Sequence, residues 1–178
     1  TSLVDSVTYS IRLEAYDQAG NIGVDSLKAV TYDISAPSIS NFSPPANSFR
    51  NNTKVSFTIS EDAMMGEVNW RECVDENCFG AWPTAVVMNI AKEQLKAGTH
   101  TDVELNPIIT EGKIYSLQVA FTDSAGNNNF IEIGGNSVRG VTYDFTAPSL
   151  SSISPSNDAF VPLANNSRLR FNFTEPIT

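Results

Sequence analysis

Apolar and polar residues alternate along several short stretches of this chain, which is the pattern of a half-buried β-strand. The inward positions of residues 9–15 are Tyr9, Ile11, Leu13 and Ala15. The same spacing recurs in residues 115–121, with Tyr115, Leu117, Val119 and Phe121. Each stretch therefore predicts a strand with one face directed into a core.

Both predicted strands are followed by the same five-residue pattern, Asp-x-Ala-Gly-Asn, at residues 17–21 and 123–127. The Asp side chain can cap a turn, and Gly and Asn accept positive φ, so we expect turns at Gly20 and Gly126. A return strand then ends in Val-Thr-Tyr-Asp at residues 30–33 and 141–144. Each unit predicts a β-hairpin.

The repetition continues beyond the hairpins. Short proline-containing linkers follow at residues 35–37 and 146–148, and APSISNFSP from Ala36 matches APSLSSISP from Ala147. NNTKVSFTISE from Asn51 matches NNSRLRFNFTE from Asn165, with Val55, Phe57 and Ile59 alternating inward in the first copy. Such self-similarity is typical of tandem modules.

The repeat boundaries predict three parts. Residues 36–146 form a complete domain, residues 1–35 the last third of a preceding domain, and residues 147–178 the first third of a following one. Incomplete sandwiches expose their inner faces. We therefore expect either that the chain is part of a longer one, which we favour, or that neighbouring copies complete the halves.

The segment of residues 61–112 occurs in one copy. Residues 67–72, 85–90 and 101–105 are strand candidates, and residues 90–97 predict one or two helical turns. Trp70, in the middle of the first of these strands, is expected in the core.

The repeated residues resemble bacterial-type Ig-like repeats of large cell-surface, S-layer and adhesin proteins. Tyr115, which opens a strand shortly after Glu-Gly-Lys, resembles the tyrosine corner of Greek-key sandwiches. The resemblance implies an all-β fold of tandem Ig-like Greek-key β-sandwiches in a secreted or surface-attached protein. Fibronectin type III modules share this strand-and-turn logic and remain an alternative.

The net charge of the chain limits the classes of partner that it is expected to bind. The formal net charge of −9 disfavours nucleic acid and anionic membranes, both of which attract basic surfaces. No run of about 18 apolar residues predicts a membrane span, and the first residues do not predict a targeting signal. The expected partners are neighbouring Ig-like domains of the same chain or of identical copies.

Calcium is the one cofactor that the sequence suggests, the alternative being none. Hard cations bind clustered oxygen ligands. The candidate ligands are Asp17, Asn21, Asp33, Asp123, Asn127 and Asp144. The Asp-x-Ala-Gly-Asn units are, however, also fully explained as turns, and this is the interpretation we favour.

Cys73 and Cys78 predict a short disulfide, with two free thiols as the alternative, and a zinc site is disfavoured because His100 is the single histidine. Trp82 is a weak candidate for stacking on a sugar ring, since surface aromatics also serve protein contacts. N-glycosylation sequons begin at Asn41, Asn51, Asn165 and Asn172, and chance occurrence is their alternative explanation.

Enzyme motifs are missing from the sequence: it contains no Gly-x-Ser-x-Gly, phosphate loop or His-Glu-x-x-His. We therefore expect a structural or adhesive extracellular repeat that works by domain packing and β-strand pairing, and not an enzyme. The alternative is a glycan- or substrate-binding accessory module of a secreted enzyme, and a third possibility is a self-assembling filament subunit.

Overall fold

The structure is a computed structural model, and it describes residues 2–75, 78, 84–133, 140–156 and 168–177. The chain divides into two compact units, Thr1–Asp144 and Phe145–Thr178. Within the described residues the fold is all-β, and a single 3₁₀ turn at Lys92–Leu95 is the only helical element. The all-β prediction is thereby confirmed.

Eleven strands are described in the first unit. They are β1 (Val7–Tyr16), β2 (Ile22–Tyr32), β3 (Ile39–Ser43), β4 (Phe49–Arg50), β5 (Val55–Ile59), β6 (Met65–Glu72), β7 (Val86–Asn89), β8 (Gly98–Val103), β9 (Ile114–Thr122), β10 (Asn128–Ile133) and β11 (Val141–Tyr143). The second unit contains β12 (Leu150–Ser154) and β13 (Arg170–Phe173), which pair antiparallel. We call the part of the first unit from β3 to β11 the central module.

Two sheets build the central module. One has the order β3-β5-β8, and the other has the order β4-β11-β9-β6-β7, with β10 also paired to β9. The strand pairs are antiparallel except β4 with β11, which run parallel. β1 and β2 form a separate antiparallel hairpin.

The two sheets of the central module contribute to one hydrophobic core. Its most buried members include Val55, Phe57, Ile59, Val68, Trp70, Leu117, Val119, Phe121, Val141 and Tyr143. The inward positions predicted for residues 55–59 and 115–121 are all buried. Alternation identified these strands because each has one face on the core.

The hairpin β1–β2 has the same alternation but a different environment. Ile11 and Leu13 are 49% and 68% exposed, because among the described residues no second sheet covers this face. In the second unit, Phe171 is likewise 55% exposed. The prediction that Ile11 and Leu13 face a core is therefore wrong for this structure, while their strand is present.

Two tyrosine hydroxyls make equivalent bonds in the two copies of the hairpin. The N–H of Thr110 donates to the hydroxyl of Tyr115 at 2.8 Å, and the N–H of Val4 donates to that of Tyr9 at 2.7 Å. In both cases the donor lies five residues before the tyrosine. Each hydroxyl therefore ties the start of its strand to the segment that leads into it.

The strands differ from the prediction in three main respects. β4 is not predicted, because two residues are too few to show a period. The return strand of the second hairpin is described in two parts, β10 and β11, whose registers on β9 are not continuous, since Ile133 pairs with Leu117 and Val141 with Tyr115. The strand expected at residues 101–105 begins earlier, at Gly98, because polar Thr99 and His100 pair with β5 at the sheet edge.

Candidate functional site

The most organised polar site lies at the entry to the central module, around the Asp-x-Ala-Gly-Asn turn. Asp123 Oδ1 accepts the N–H groups of Ala125 and Asn127 at 2.8 and 2.9 Å, and its Oδ2 accepts Asn127 Nδ2 at 2.9 Å. Asp17 makes the same three bonds in its own hairpin. Gly20 and Gly126 have φ of 88° and 91°, which glycine adopts without strain.

The linker that enters the module crosses this turn. Asn127 Nδ2 donates to the carbonyl oxygens of Asp33 and Ser35 at 3.2 and 3.5 Å. Asn129 Nδ2 donates to the carbonyl oxygen of Pro37 at 3.0 Å. Pro37 is fully buried. The linker is thus bonded to the side chains of a loop about 90 residues further along the chain.

Three carboxylates meet beside the linker. Asp33, Glu61 and Asp123 each present an oxygen, and these atoms lie within 4.8 Å of one another. Carboxylate oxygens at such spacing are the donors that hard divalent cations take. Sequence reasoning missed Glu61, although the repeat contained a signal, since Glu61 and Glu175 close the two matched segments NNTKVSFTISE and NNSRLRFNFTE.

Two members of the cluster, Glu61 and Asp123, have shifted pKa values. Burial, followed by the charges of Asp33, Asp123 and Asp5, raises the pKa of Glu61 above its usual value. Desolvation is the largest single influence on Asp123 and acts to raise its pKa, but the hydrogen bonds from Asn127, Ala125 and Gly126 together hold the pKa below its usual value. The cluster therefore combines Asp123, whose charged form is stabilised by hydrogen bonds, with Glu61, whose charged form is disfavoured by burial and by neighbouring negative charges.

The six predicted calcium ligands are divided among three places. Asp33, Asp123 and Asn127 come together at this junction. Asp17 and Asn21 are bonded to each other in the β1–β2 turn. Asp144 follows β11, where its N–H donates to the Arg50 carbonyl at 2.9 Å.

The other predicted sites are simpler. Cys73 and Cys78 are joined by a disulfide with a Cα–Cα distance of 4.5 Å. Asn41, Asn51 and Asn172 are exposed, whereas Asn165 and Trp82 lie outside the described residues.

The single histidine is used in packing. The ring of His100 lies 5.2 Å from that of Phe57, and its Nε2 is 2.8 Å from the Lys96 carbonyl oxygen. Trp70 is fully buried, and its Nε1 donates to the hydroxyl of Tyr143 at 3.0 Å. These aromatic groups therefore belong to the interior of the module and its margin.

Comparison with protein-family models, with curated proteins and with solved structures found no match to this chain. Among the described residues, no helix has the length and apolar character needed to cross a membrane.

Proposed function

We propose that this chain is a structural or adhesive unit of an extracellular array of Ig-like repeats, in which neighbouring modules of the same chain or of identical copies are the partners. Three features support an Ig-like Greek-key sandwich: two sheets on one core, a buried tryptophan on β6, and a tyrosine at the start of β9 bonded to the preceding segment. The repeated hairpins and linkers support a tandem arrangement.

The observation that carries a mechanical role is the parallel pairing of β4 with β11. The backbone bonds between these segments include Asn47 N–H to Gly140 O at 3.1 Å, Thr142 N–H to Ser48 O at 2.9 Å, and Asp144 N–H to Arg50 O at 2.9 Å. The β4 segment is reached from the incoming linker through β3, which pairs with β5, and the β11 segment leads directly into the outgoing linker.

This geometry determines how tension acts on the module. Force applied through the two linkers pulls on the N-terminal end of β4 and on the C-terminal end of β11. Because the N-termini of parallel strands lie at the same end of the sheet, the two strands are pulled in opposite directions along their length. The bonds between the two strands are then strained together in shear, whereas a hairpin pulled open at its end loses its bonds one by one. A module connected in this way resists extension between its neighbours.

The experiment is single-molecule extension of the chain held at its two ends, for the wild type and two variants. Asp144→Pro removes the N–H that donates to Arg50 and so weakens the parallel pair. Val119→Ala leaves that pair intact and destabilises the core by roughly 1–3 kcal/mol. The free energy of unfolding of each variant is measured in urea.

We expect a distinct force peak for the wild type, and a lower peak for Asp144→Pro than its loss of equilibrium stability accounts for. Val119→Ala should keep most of the force despite its lower stability. The proposal is wrong if the wild type extends without a peak, or if the rupture force follows equilibrium stability alone in both variants.

A further inference from the structure

We propose that Asn127 and Asn129 form an asparagine clamp that fixes the linker of residues 33–37, and with it the preceding hairpin, on the central module. This inference deepens the proposed function, on which its biological meaning rests. It assigns to the Asp-x-Ala-Gly-Asn turn a second task, the positioning of the adjacent module.

The bonds run in the same direction along both segments: Asn127 contacts Asp33 and Ser35, and Asn129 contacts Pro37, which comes next on that side of the linker. The linker presents the carbonyl oxygens of Asp33, Ser35 and Pro37, which are two residues apart and so lie on one side of an extended chain. Asn127 and Asn129 are also two residues apart and direct their amides to that side. The linker and residues 127–129 therefore run side by side and are joined through side-chain amides.

Asn127 can serve the turn and the linker at once. Its Nδ2 carries two hydrogens. That nitrogen donates to Asp123 Oδ2 at 2.9 Å, and its linker acceptors, Asp33 O at 3.2 Å and Ser35 O at 3.5 Å, share the remaining hydrogen. Asp123 thus holds the amide in the orientation that the linker requires.

Asn129 occupies a position where the strand pattern favours an apolar residue. It pairs with Phe121 in the register of β10 with β9, on the same face as Ile131 and Ile133, which pack against the core. A partly buried amide at such a position is costly unless it is bonded. The Pro37 carbonyl supplies the acceptor, which accounts for a polar residue in this series.

The two copies of the linker proline differ in burial. Pro37 is fully buried beneath these contacts, whereas Pro148, its counterpart in the second linker, is exposed. The sequences around the two prolines are nearly the same. The burial of Pro37 therefore arises from its surroundings and not from its local sequence.

Of the two clamp asparagines, one has a counterpart in the first hairpin and the other does not. Asn21 corresponds to Asn127 and makes the same bonds to its turn aspartate, while Gly23 occupies the position of Asn129. Substitution at the second position thus offers a simple way to vary how firmly successive modules are held.

The test measures the spread of distances between the hairpin and the module in the full chain. Spin labels are attached through Lys28→Cys on β2 and Lys92→Cys on the 3₁₀ turn, both of which are exposed, with the native disulfide kept oxidised. The variants are Asn129→Ala, Asn127→Ala and the matched control Asn128→Ala. Asn128 lies between the clamp residues but donates to Thr122 instead.

We expect Asn129→Ala to widen the distance distribution at least twofold, and Asn128→Ala to leave it unchanged. Asn127→Ala should widen it as well, and Asn21→Ala, which removes the same turn bond without a linker contact, should not. Urea unfolding of Asn129→Ala is the control, and it should give a free energy of unfolding that shows an intact module. Equal widths for the wild type, Asn129→Ala and Asn127→Ala would overturn the clamp.

Because no force is applied in this measurement, its outcome is independent of the extension experiment. A lost clamp with an intact force peak contradicts only the inference about the asparagines. A missing force peak with an intact clamp contradicts only the proposed mechanical role.

Discussion

At the scale of single residues, the centre of the module is held by an aromatic group with one internal hydrogen bond. Trp70 donates to the hydroxyl of Tyr143, and the rings of Tyr143 and Tyr115 meet edge-on at 5.9 Å. Burial raises the pKa of Tyr143 to about 12, so this hydroxyl stays protonated at neutral pH. The bond connects β6 to β11, which are not neighbours in the sheet.

Removal of this acceptor tests its contribution. Tyr143→Phe keeps the ring but takes away the oxygen that Trp70 Nε1 contacts, and a buried donor that loses its partner costs about 1–3 kcal/mol. We expect that decrease in the free energy of unfolding, measured in urea by tryptophan fluorescence. Tyr16→Phe is the control. Because Tyr16 is 64% exposed, removal of its hydroxyl should change the free energy of unfolding by less than about 0.5 kcal/mol.

The carboxylate cluster makes the free energy of unfolding depend on pH, and the raised pKa of Glu61 sets the sign of one contribution. Because the folded state raises the pKa of this group, the folded protein holds its proton more tightly than the unfolded chain. This contribution therefore favours folding below the unfolded pKa and is lost as pH rises through the folded pKa. Asp123 acts oppositely, since its lowered pKa gives stability that is lost as pH falls below its usual value of 3.8.

Glu61→Gln removes the first effect. From pH 4.5 upward, the wild type should lose stability relative to the variant, and above the folded pKa the variant should be the more stable protein. Urea unfolding at several pH values measures the difference. Glu93→Gln, a change at an exposed carboxylate, is the control, and parallel curves for the wild type and Glu61→Gln would contradict the assignment.

At the scale of elements, the sequence predicted most reliably those strands that have one face on the core. The alternation of residues 115–121 located β9, and Trp70 was expected in the core from its place in β6. The short β4 was missed, since its pairing is made by backbone groups that leave no side-chain period. Glu61 and Asn129 were missed as site residues, because only the folded chain brings them to residues 33–37.

Gly140, immediately before β11, shows how closely the chain there approaches β9. A Cβ on Gly140 would lie 2.2 Å from the carbonyl oxygen of Tyr115, which is backbone and cannot rotate away. Gly140→Ala should therefore separate β9 from β11 and lower the free energy of unfolding by more than about 2 kcal/mol.

Gly23→Ala is the matched control for this prediction. The nearest atom to its added Cβ is the Ala15 carbonyl oxygen at 4.0 Å, so no displacement is needed. The two proteins are compared by thermal unfolding. Equal melting temperatures for Gly140→Ala and Gly23→Ala would show that the close approach is not maintained in solution.

At the scale of the whole molecule, calcium binding stays the alternative to the turn interpretation that we favour, and three of its six candidate ligands, Asp33, Asp123 and Asn127, lie together at the junction. This alternative predicts that added calcium binds with a dissociation constant of about 10⁻⁴–10⁻³ M, as in weak calcium-binding modules. In isothermal titration calorimetry, the heat of calcium binding should be absent for Glu61→Gln and present for Asp17→Asn, because the Asp17 side chain lies in the other turn. No binding, or binding unchanged by Glu61→Gln, contradicts the prediction.

The apolar faces of the strands are buried in the central module and exposed in the two flanking strand pairs. The central module closes two sheets on one core, whereas β1–β2 and β12–β13 present apolar faces such as that of Leu13 and Phe171 to solvent. In our account these faces belong to adjacent repeats, and the module between them transmits tension from one linker to the other.

The most direct test of this account is to compare the force needed to extend the module in two directions. One attachment is at residues 36 and 144, which strains β4 and β11 in shear, and the other is at residues 67 and 89, which are paired at one end of β6–β7 and open that pair bond by bond. The account predicts a rupture force at least twice as high through the linkers. An equal or lower force in that direction would contradict it.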